Sequence, residues 1–171
     1  MLNTLHVHYG QAYVESGGEH PDADMEQNFR GQPQGLCGAR IPGALFLITG
    51  LHTGTVGFEV RIHGDEPPVD ETFEDIVEVS FRPATQDVQL TEWAAQATYP
   101  LAIEHRDYRV RYSARGMDAA HEQDTVVDGE PIIDSYLLEF WPAAPAAQRI
   151  VKQTSANAAY WHDYARGLGP A

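Results

Sequence analysis

The chain has 171 residues, with 25 Asp and Glu against 11 Lys and Arg, a formal charge of −14 at pH 7 with histidine neutral. Phosphate binding is driven by clustered Lys and Arg, so a chain whose only lysine is Lys152 is a poor nucleic-acid or anionic-membrane binder. With 43% hydrophobic and 10% aromatic residues it can fill a core, which excludes wholesale disorder, and its length fits a single domain over residues 1–171.

Period-two alternation dominates the pattern in chain order. Leu5, Val7 and Tyr9, with Tyr13 beyond them, mark a first strand, and Leu45 and Leu47 a second. The clearest stretch runs from Thr55 to His63, where Val56, Phe58, Val60 and Ile62 alternate with Gly57, Glu59, Arg61 and His63, giving one apolar and one wetted face. Val77, Val79 and Phe81 follow, then Val88 and Leu90, then Tyr99, Leu101 and Ile103. Tyr108, Val110 and Tyr112 alternate with Arg109, Arg111 and Ser113, and Tyr136, Leu138 and Phe140 close the series. Eight short strands separated by Gly, Pro and Asp predict a mainly β fold, an antiparallel β-sandwich.

The connections carry their own signals. Gly50 to Gly54 reads as a five-residue hairpin loop, and Asp65-Glu66-Pro67-Pro68 cannot continue a ladder because proline supplies no donor. Irregular segments are expected from about Ser16 to Pro42 and from Gly116 to Asp134. Pro142 and Pro145 end the last strand, and a short helical piece is expected over Ala146–Gln153. Ser155 is a good N-cap for a C-terminal helix over Ala156–Arg166, with Gly167 as its C-cap and an aromatic face of Tyr160, Trp161 and Tyr164 packed on the sandwich.

The start of the chain shows neither a basic n-region nor an apolar h-region. The longest aliphatic and aromatic run, Ala44 to Ile48, is far below the roughly 20 residues of a membrane span. One cysteine, Cys37, cannot close an intramolecular disulfide, so a cytoplasmic location is expected.

Residues able to carry chemistry are few. His6 and His8, two apart on a strand, leave the same face about 7 Å apart, a spacing that suits metal sites in sheet folds. His52, Glu59, His63 and His105 are available as further ligands, none at a recognisable spacing, and the alternative reading is a polar face opposite Leu5, Val7 and Tyr9. Cys37 in Gly35-Leu36-Cys37-Gly38-Ala39 is a candidate thiol or a small buried hydrophobe. No Gly-x-Ser-x-Gly elbow and no Gly-Lys-Ser or Gly-Lys-Thr phosphate loop occurs, so enzyme signatures are missing and no cofactor is implied. Trp93, Trp141 and Trp161 are core candidates or the lining of a ligand cleft.

The distribution of negative charge says more than its total. Asp65, Glu66, Asp70, Glu71, Glu74, Asp75 and Glu78 form one block, and Asp118, Glu122, Asp124, Asp128, Glu130 and Asp134 a second, neither with a Lys or Arg inside it. Neither matches the alternating Asp spacing of a calcium loop. Two readings stand: solvated loops that keep the chain soluble, or a surface complementary to a basic protein, with Asp65, Glu66, Asp70, Glu71, Glu74 and Asp75 as the contact residues. Arg109 and Arg111 share a strand face and are expected to pair with Glu59 or Glu78 on neighbouring strands at the surface.

Arg106-Asp107-Tyr108-Arg109-Val110-Arg111-Tyr112, Gly116-Met117-Asp118, His121, Asp124-Thr125 and Tyr136-Leu137-Leu138 appear in an order that resembles the C-terminal half of competence protein J. The wider pattern, including Thr49 to Gly54, Glu74 to Phe81 and Gln153-Thr154-Ser155, is similar to actinobacterial-type proteins of unknown function. The first resemblance implies an inhibitor of a DNA-entry nuclease. It leaves a metal-binding module or metal-dependent enzyme centred on His6 and His8 as the competing expectation.

Overall fold

A computed structural model describes residues 3–17 and 24–170. Among the described residues, eleven strands fall into two sheets. The first contains β1 (Thr4–Val7), β5 (Gly54–Ile62), β10 (Ser135–Pro142), β9 (Tyr108–Arg115), β6 (Asp75–Phe81) and β11 (Arg149–Lys152), in that spatial order. The second contains β3 (Cys37–Gly38), β4 (Ala44–Ile48), β2 (Gln11–Ser16), β7 (Val88–Glu92) and β8 (Thr98–Leu101). All pairings are antiparallel except that of β5 with β10. Val56, Phe58, Val79, Val110, Leu138 and Phe140 of the first sheet share one buried core with Val14, Leu45, Leu47 and Leu90 of the second, the arrangement that period-two patterning dictates. No described helix is long and apolar enough to cross a membrane.

The structure corrects several expectations. The turn at Tyr9-Gly10 divides the first predicted strand into β1 and β2, which then belong to different sheets. Gly50 to Gly54 is a crossover from β4 in one sheet to β5 in the other, with no hairpin. Its glycines are needed for close approach: a Cβ on Gly50 or Gly54 would collide with the backbone of Met117 or Val126. The helical piece expected at 146–153 is instead β11, an edge strand on β6 with a register shift between Ile150 and Lys152. Two short helices, α1 (Met25–Phe29) and α2 (Met117–Gln123), and the two-residue β3 occupy the segments read as irregular, of which residues 18–23 lie outside the described residues.

The C-terminal helix α3 (Ala156–Gly167) starts where expected, with Ser155 Oγ accepting from Ala158 N at 3.0 Å. It continues through Gly167, and Leu168 is its C-cap. Its buried face is Ala158, His162 and Ala165, spaced i, i+4 and i+7, while Tyr160 is 62% exposed. His162 Nδ1 accepts from Gly35 N at 3.0 Å, tying α3 to the segment before β3, and its Nε2 is buried without a hydrogen-bond partner.

The outer face of the six-stranded sheet holds the main surprise. Across five neighbouring strands, Arg149 pairs in register with Glu78, Glu78 with Arg111, Arg111 with Glu139, and Glu139 with Arg61. The signs alternate along the row. Arg111 is fully buried, with Nε donating to Glu78 Oε1 at 3.0 Å, Nη1 donating to the carbonyls of Pro67 and Pro68 at 2.9 and 3.2 Å, and its guanidinium 5.1 Å from the centre of the Trp141 ring. Arg109 is buried too and donates to the carbonyls of Ala146 and Ala147 at 2.9 and 3.2 Å. Glu78 is therefore the expected arginine partner but lies in a dry layer, while Glu59 is bound by Arg61 at 2.8 Å. Burial pushes the Glu78 carboxyl up, and the hydrogen bonds from Arg149 and Arg111 outweigh it, leaving it below the usual carboxylate range. The segment after β5 and the one after β10 close over this face, and Phe73, Ile76 and Leu137 form a second small apolar cluster beneath them.

Two stability predictions follow from these contacts. Glu78→Ala leaves the buried guanidinium groups of Arg109 and Arg111 short of a carboxylate and is expected to cost about 3–5 kcal/mol in urea unfolding. Burial, reinforced by Arg166, pushes the His162 pKa down to about 4, below the value near 6.5 of an unfolded histidine. The unfolded state then binds the extra proton, so stability falls as pH drops from about 6.5 towards 4, by about 3 kcal/mol in full. Urea midpoints measured across that window should show a shallower fall for His162→Gln, whose amide oxygen can still accept from Gly35.

Candidate functional site

All four non-glycine residues with positive φ among the described residues gather at one place: Tyr9 (φ 57°), Ala94 (53°), Ala95 (55°) and Asp124 (63°). Tyr9 and Gly10 (φ 64°) form the two-residue turn between β1 and β2, closed by the His8–Gln11 bridge. Such a turn favours Asn-Gly, and an aromatic residue there is strained. Ala94 and Ala95 follow Trp93 in a short 3-10 turn after β7, and Asp124 ends α2. Left-handed backbone at non-glycine positions costs about 1–3 kcal/mol each and persists where surrounding structure enforces it.

What these turns display is an aromatic and imidazole patch. Ring centres are 4.3 Å apart for His8 and Tyr9, 5.0 Å for His8 and Trp93, 5.2 Å for Tyr9 and Trp93, and 5.2 Å for Tyr9 and His52. Tyr9 is 52% exposed. Thr53 Oγ1 lies 3.1 Å from His8 Nδ1 and 2.9 Å from His52 Nδ1, joining the two imidazoles. The backbone is cross-braced: Gly10 N donates to His52 O at 2.9 Å, His52 N and Thr53 N to Asp124 O at 3.0 and 3.1 Å, and Val126 N to Thr53 O at 2.9 Å.

Beneath the patch lies a buried acid. Asp134 Oδ2 accepts from Leu51 N at 3.1 Å and from Tyr136 Oη at 2.5 Å, while Tyr136 Oη accepts from Gly50 N at 2.6 Å. Tyr136 stacks on Tyr112, whose hydroxyl donates to Ile48 O at 2.9 Å. Burial raises the Asp134 carboxyl above its usual range and holds both phenols well above theirs. This network fixes the 50–54 crossover that carries His52 and Thr53.

The structure separates the acids that are used internally from those that are not. In the first block Glu66 is within 3.5 Å of Arg111 and 3.9 Å of Arg149, Glu71 is 3.7 Å from Lys152, Asp70 accepts from Thr72, and Glu74 accepts from Gly116 N at 2.8 Å. Asp65 is exposed. Asp75 is fully buried and accepts from Thr154 N and Ser155 N at 2.7 and 3.0 Å, so it offers nothing to a partner, a correction to its expected role. In the second block Asp118 accepts from Ala156 N and Asn157 N at 3.0 and 2.7 Å at the start of α3. Glu122, Asp124, Asp128 and Glu130 are exposed and have no cationic partner among the described residues, although Asp124 accepts from Thr125 Oγ1 and Glu130 from Val127 N, each at 2.9 Å. The segment that carries them is joined to the patch by backbone bonds of Asp124 and Val126 with His52 and Thr53. The two blocks meet where Glu74 reaches Gly116.

The histidine pair does not converge on further ligands. His6 is engaged through its backbone N–H with Glu92, His8 joins His52, His63 is 2.9 Å from Glu139, and no group of three or more His, Cys, Asp or Glu is placed to hold a metal among the described residues. Cys37 is buried, and burial raises its thiol pKa far above the ordinary value. Trp141 is buried on the outer face, and Trp93 belongs to the patch. Sequence reading missed this patch because its members lie in three separate turns; a Tyr-Gly pair between two strand patterns was the available signal.

The sequence matches no protein-family model and no curated protein. Among solved structures the chain is similar to ComJ, inhibitor of the DNA degrading activity of NucA, from Bacillus subtilis. The two share 14% identity over 82% of this chain and 93% of that one, with a TM-score of 0.54. The fold is similar to that of ComJ. A protein described as crocagin biosynthetic gene J matches at 11% identity over 82% of this chain and 95% of that one, with a TM-score of 0.48. The likeness to ComJ agrees with the resemblance read from the Arg106 to Leu138 motifs.

The buried hydroxyl of Tyr136 is open to direct test. Tyr136→Phe orphans Gly50 N and one contact of Asp134, so it should cost about 1–3 kcal/mol, and hydrogen exchange of the Gly50 and Leu51 amides should accelerate more than that of β9 amides.

Proposed function

We propose that the chain is an acidic cytoplasmic binding protein of inhibitor or immunity type that engages a basic protein partner such as a nuclease. The observation that carries this reading is the set of exposed acids Glu122, Asp124, Asp128 and Glu130, without cationic partners among the described residues, beside an exposed aromatic patch. Interfaces are anchored by Tyr and Trp and steered by charge, and both ingredients are present side by side. ComJ, which shares the fold, is an inhibitor of a DNA-degrading protein, and transfer of that role to this chain belongs to the proposal. Asp65, Glu66, Asp70, Glu71 and Glu74 are then a second, weaker negative field, since most of them already have partners within the chain.

The test is capture of nuclease activity from source-cell extract on the immobilised chain at low and at high salt, followed by assay of DNA degradation with the chain added back. Capture at low salt and inhibition on add-back are expected. Glu122→Lys, Asp128→Lys and Glu130→Lys combined should slow association about ten- to a hundredfold, with a smaller effect for Asp70→Lys and Glu71→Lys. Absence of a captured basic protein at low salt, or equal capture by the reversed variant, would sink the reading.

A further inference from the structure

We infer that the His8–Tyr9–His52–Trp93 patch is the anchor point of the interface and that it receives an arginine side chain of the partner. The inference rests on the reading above that the partner is basic, and it names the chemical group recognised. Tyr9 and Trp93 present two aromatic rings 5.2 Å apart, with Tyr9 half exposed at the tip of a turn. A planar guanidinium stacks on such rings through both its charge and its flat face, which an ammonium group cannot match. The segment hydrogen-bonded to the patch is acidic: the Asp124 carbonyl accepts from His52 and Thr53, and the exposed Glu122, Asp128 and Glu130 flank Asp124 in sequence. Stacking surface and charge complementarity therefore point to the same occupant.

The turn itself argues that Tyr9 is there for its exposed ring. With positive φ at both central residues, Asn would fit the first position better than tyrosine does. Tyr9 leaves half its surface exposed and hydrogen-bonds nothing through its hydroxyl among the contacts described, and its ring packs only on His8, His52 and Trp93 of the same patch. The brace of Gly10, His52 and Asp124 backbone bonds holds the ring in place before any partner arrives.

The experiment uses two defined probes, an eight-residue oligo-arginine peptide and the matching oligo-lysine, titrated calorimetrically into the full chain at one ionic strength. The wild-type chain should bind the arginine peptide about fivefold more tightly than the lysine peptide. Tyr9→Asn should abolish that preference while leaving the melting temperature unchanged or higher, a combination that a merely structural role for Tyr9 cannot produce. Glu122→Lys should weaken both peptides alike and keep the preference. Equal binding of the two peptides by the wild type, or a preference retained in Tyr9→Asn, overturns the assignment. If the arginine preference is present but no basic protein is captured from extract, the patch assignment stands and the nuclease-inhibitor reading is what fails.

Discussion

The row of alternating charge Arg149, Glu78, Arg111, Glu139 and Arg61 holds together parts of the chain that the hydrophobic core does not reach. Each member lies opposite the next in register, so each of the two carboxylates sits between two guanidinium groups and the central Arg111 between two carboxylates. Such a row is costly to bury unless its charges are matched, and Arg111 at its centre is matched further by the carbonyls of Pro67 and Pro68 and covered by Trp141, while Arg109 beside the row holds the carbonyls of Ala146 and Ala147. Those carbonyls belong to the segments that follow β5 and β10. Arg111 of the row thus holds the first of these segments over the outer face, Arg109 holds the second, and Arg149 ties β11 to the edge of β6 through Glu78.

Three further acids are engaged by backbone donors: Asp75 and Asp134, which are buried, and Asp118 in α2, which is exposed. Asp75 and Asp118 accept backbone N–H groups at and before the first turn of α3, where the helix dipole favours negative charge. Asp134 holds the 50–54 crossover through Leu51 and, by way of Tyr136, through Gly50. The large formal charge is thus divided among distinct physical tasks. Part of it is neutralised in the dry ion row, part caps backbone donors, and what remains exposed near His52 and Thr53 gives the surface its field.

The patch owes its rigidity to this division. Its rings stand on turns strained in themselves, and the strain is sustained because the β1–β2 turn, the crossover and the end of α2 are hydrogen-bonded to one another. A preformed aromatic surface with an acidic margin suits a partner that is basic and must be bound without reorganising the sandwich.

Much of the architecture was legible in the residues. Alternation from Val56 to Ile62 and from Tyr108 to Tyr112 determined strands with one apolar face, and Ser155 determined where α3 begins, because both depend on local geometry alone. The motifs between Arg106 and Leu138 likewise carried the resemblance to the ComJ fold. What the sequence could not contain was the environment of the other face. Arg109, Arg111, Glu78 and Glu139 occupy polar positions of period two and read as a wetted surface, yet they are buried, since distant segments with no pattern of their own cover them. For the same reason Asp75 and Glu122 looked alike as members of acidic blocks, and only tertiary contacts spent one on backbone donors and left the other free. Local periodicity decides which residues share a face; which faces meet water, and which turns meet one another, is decided when the chain closes.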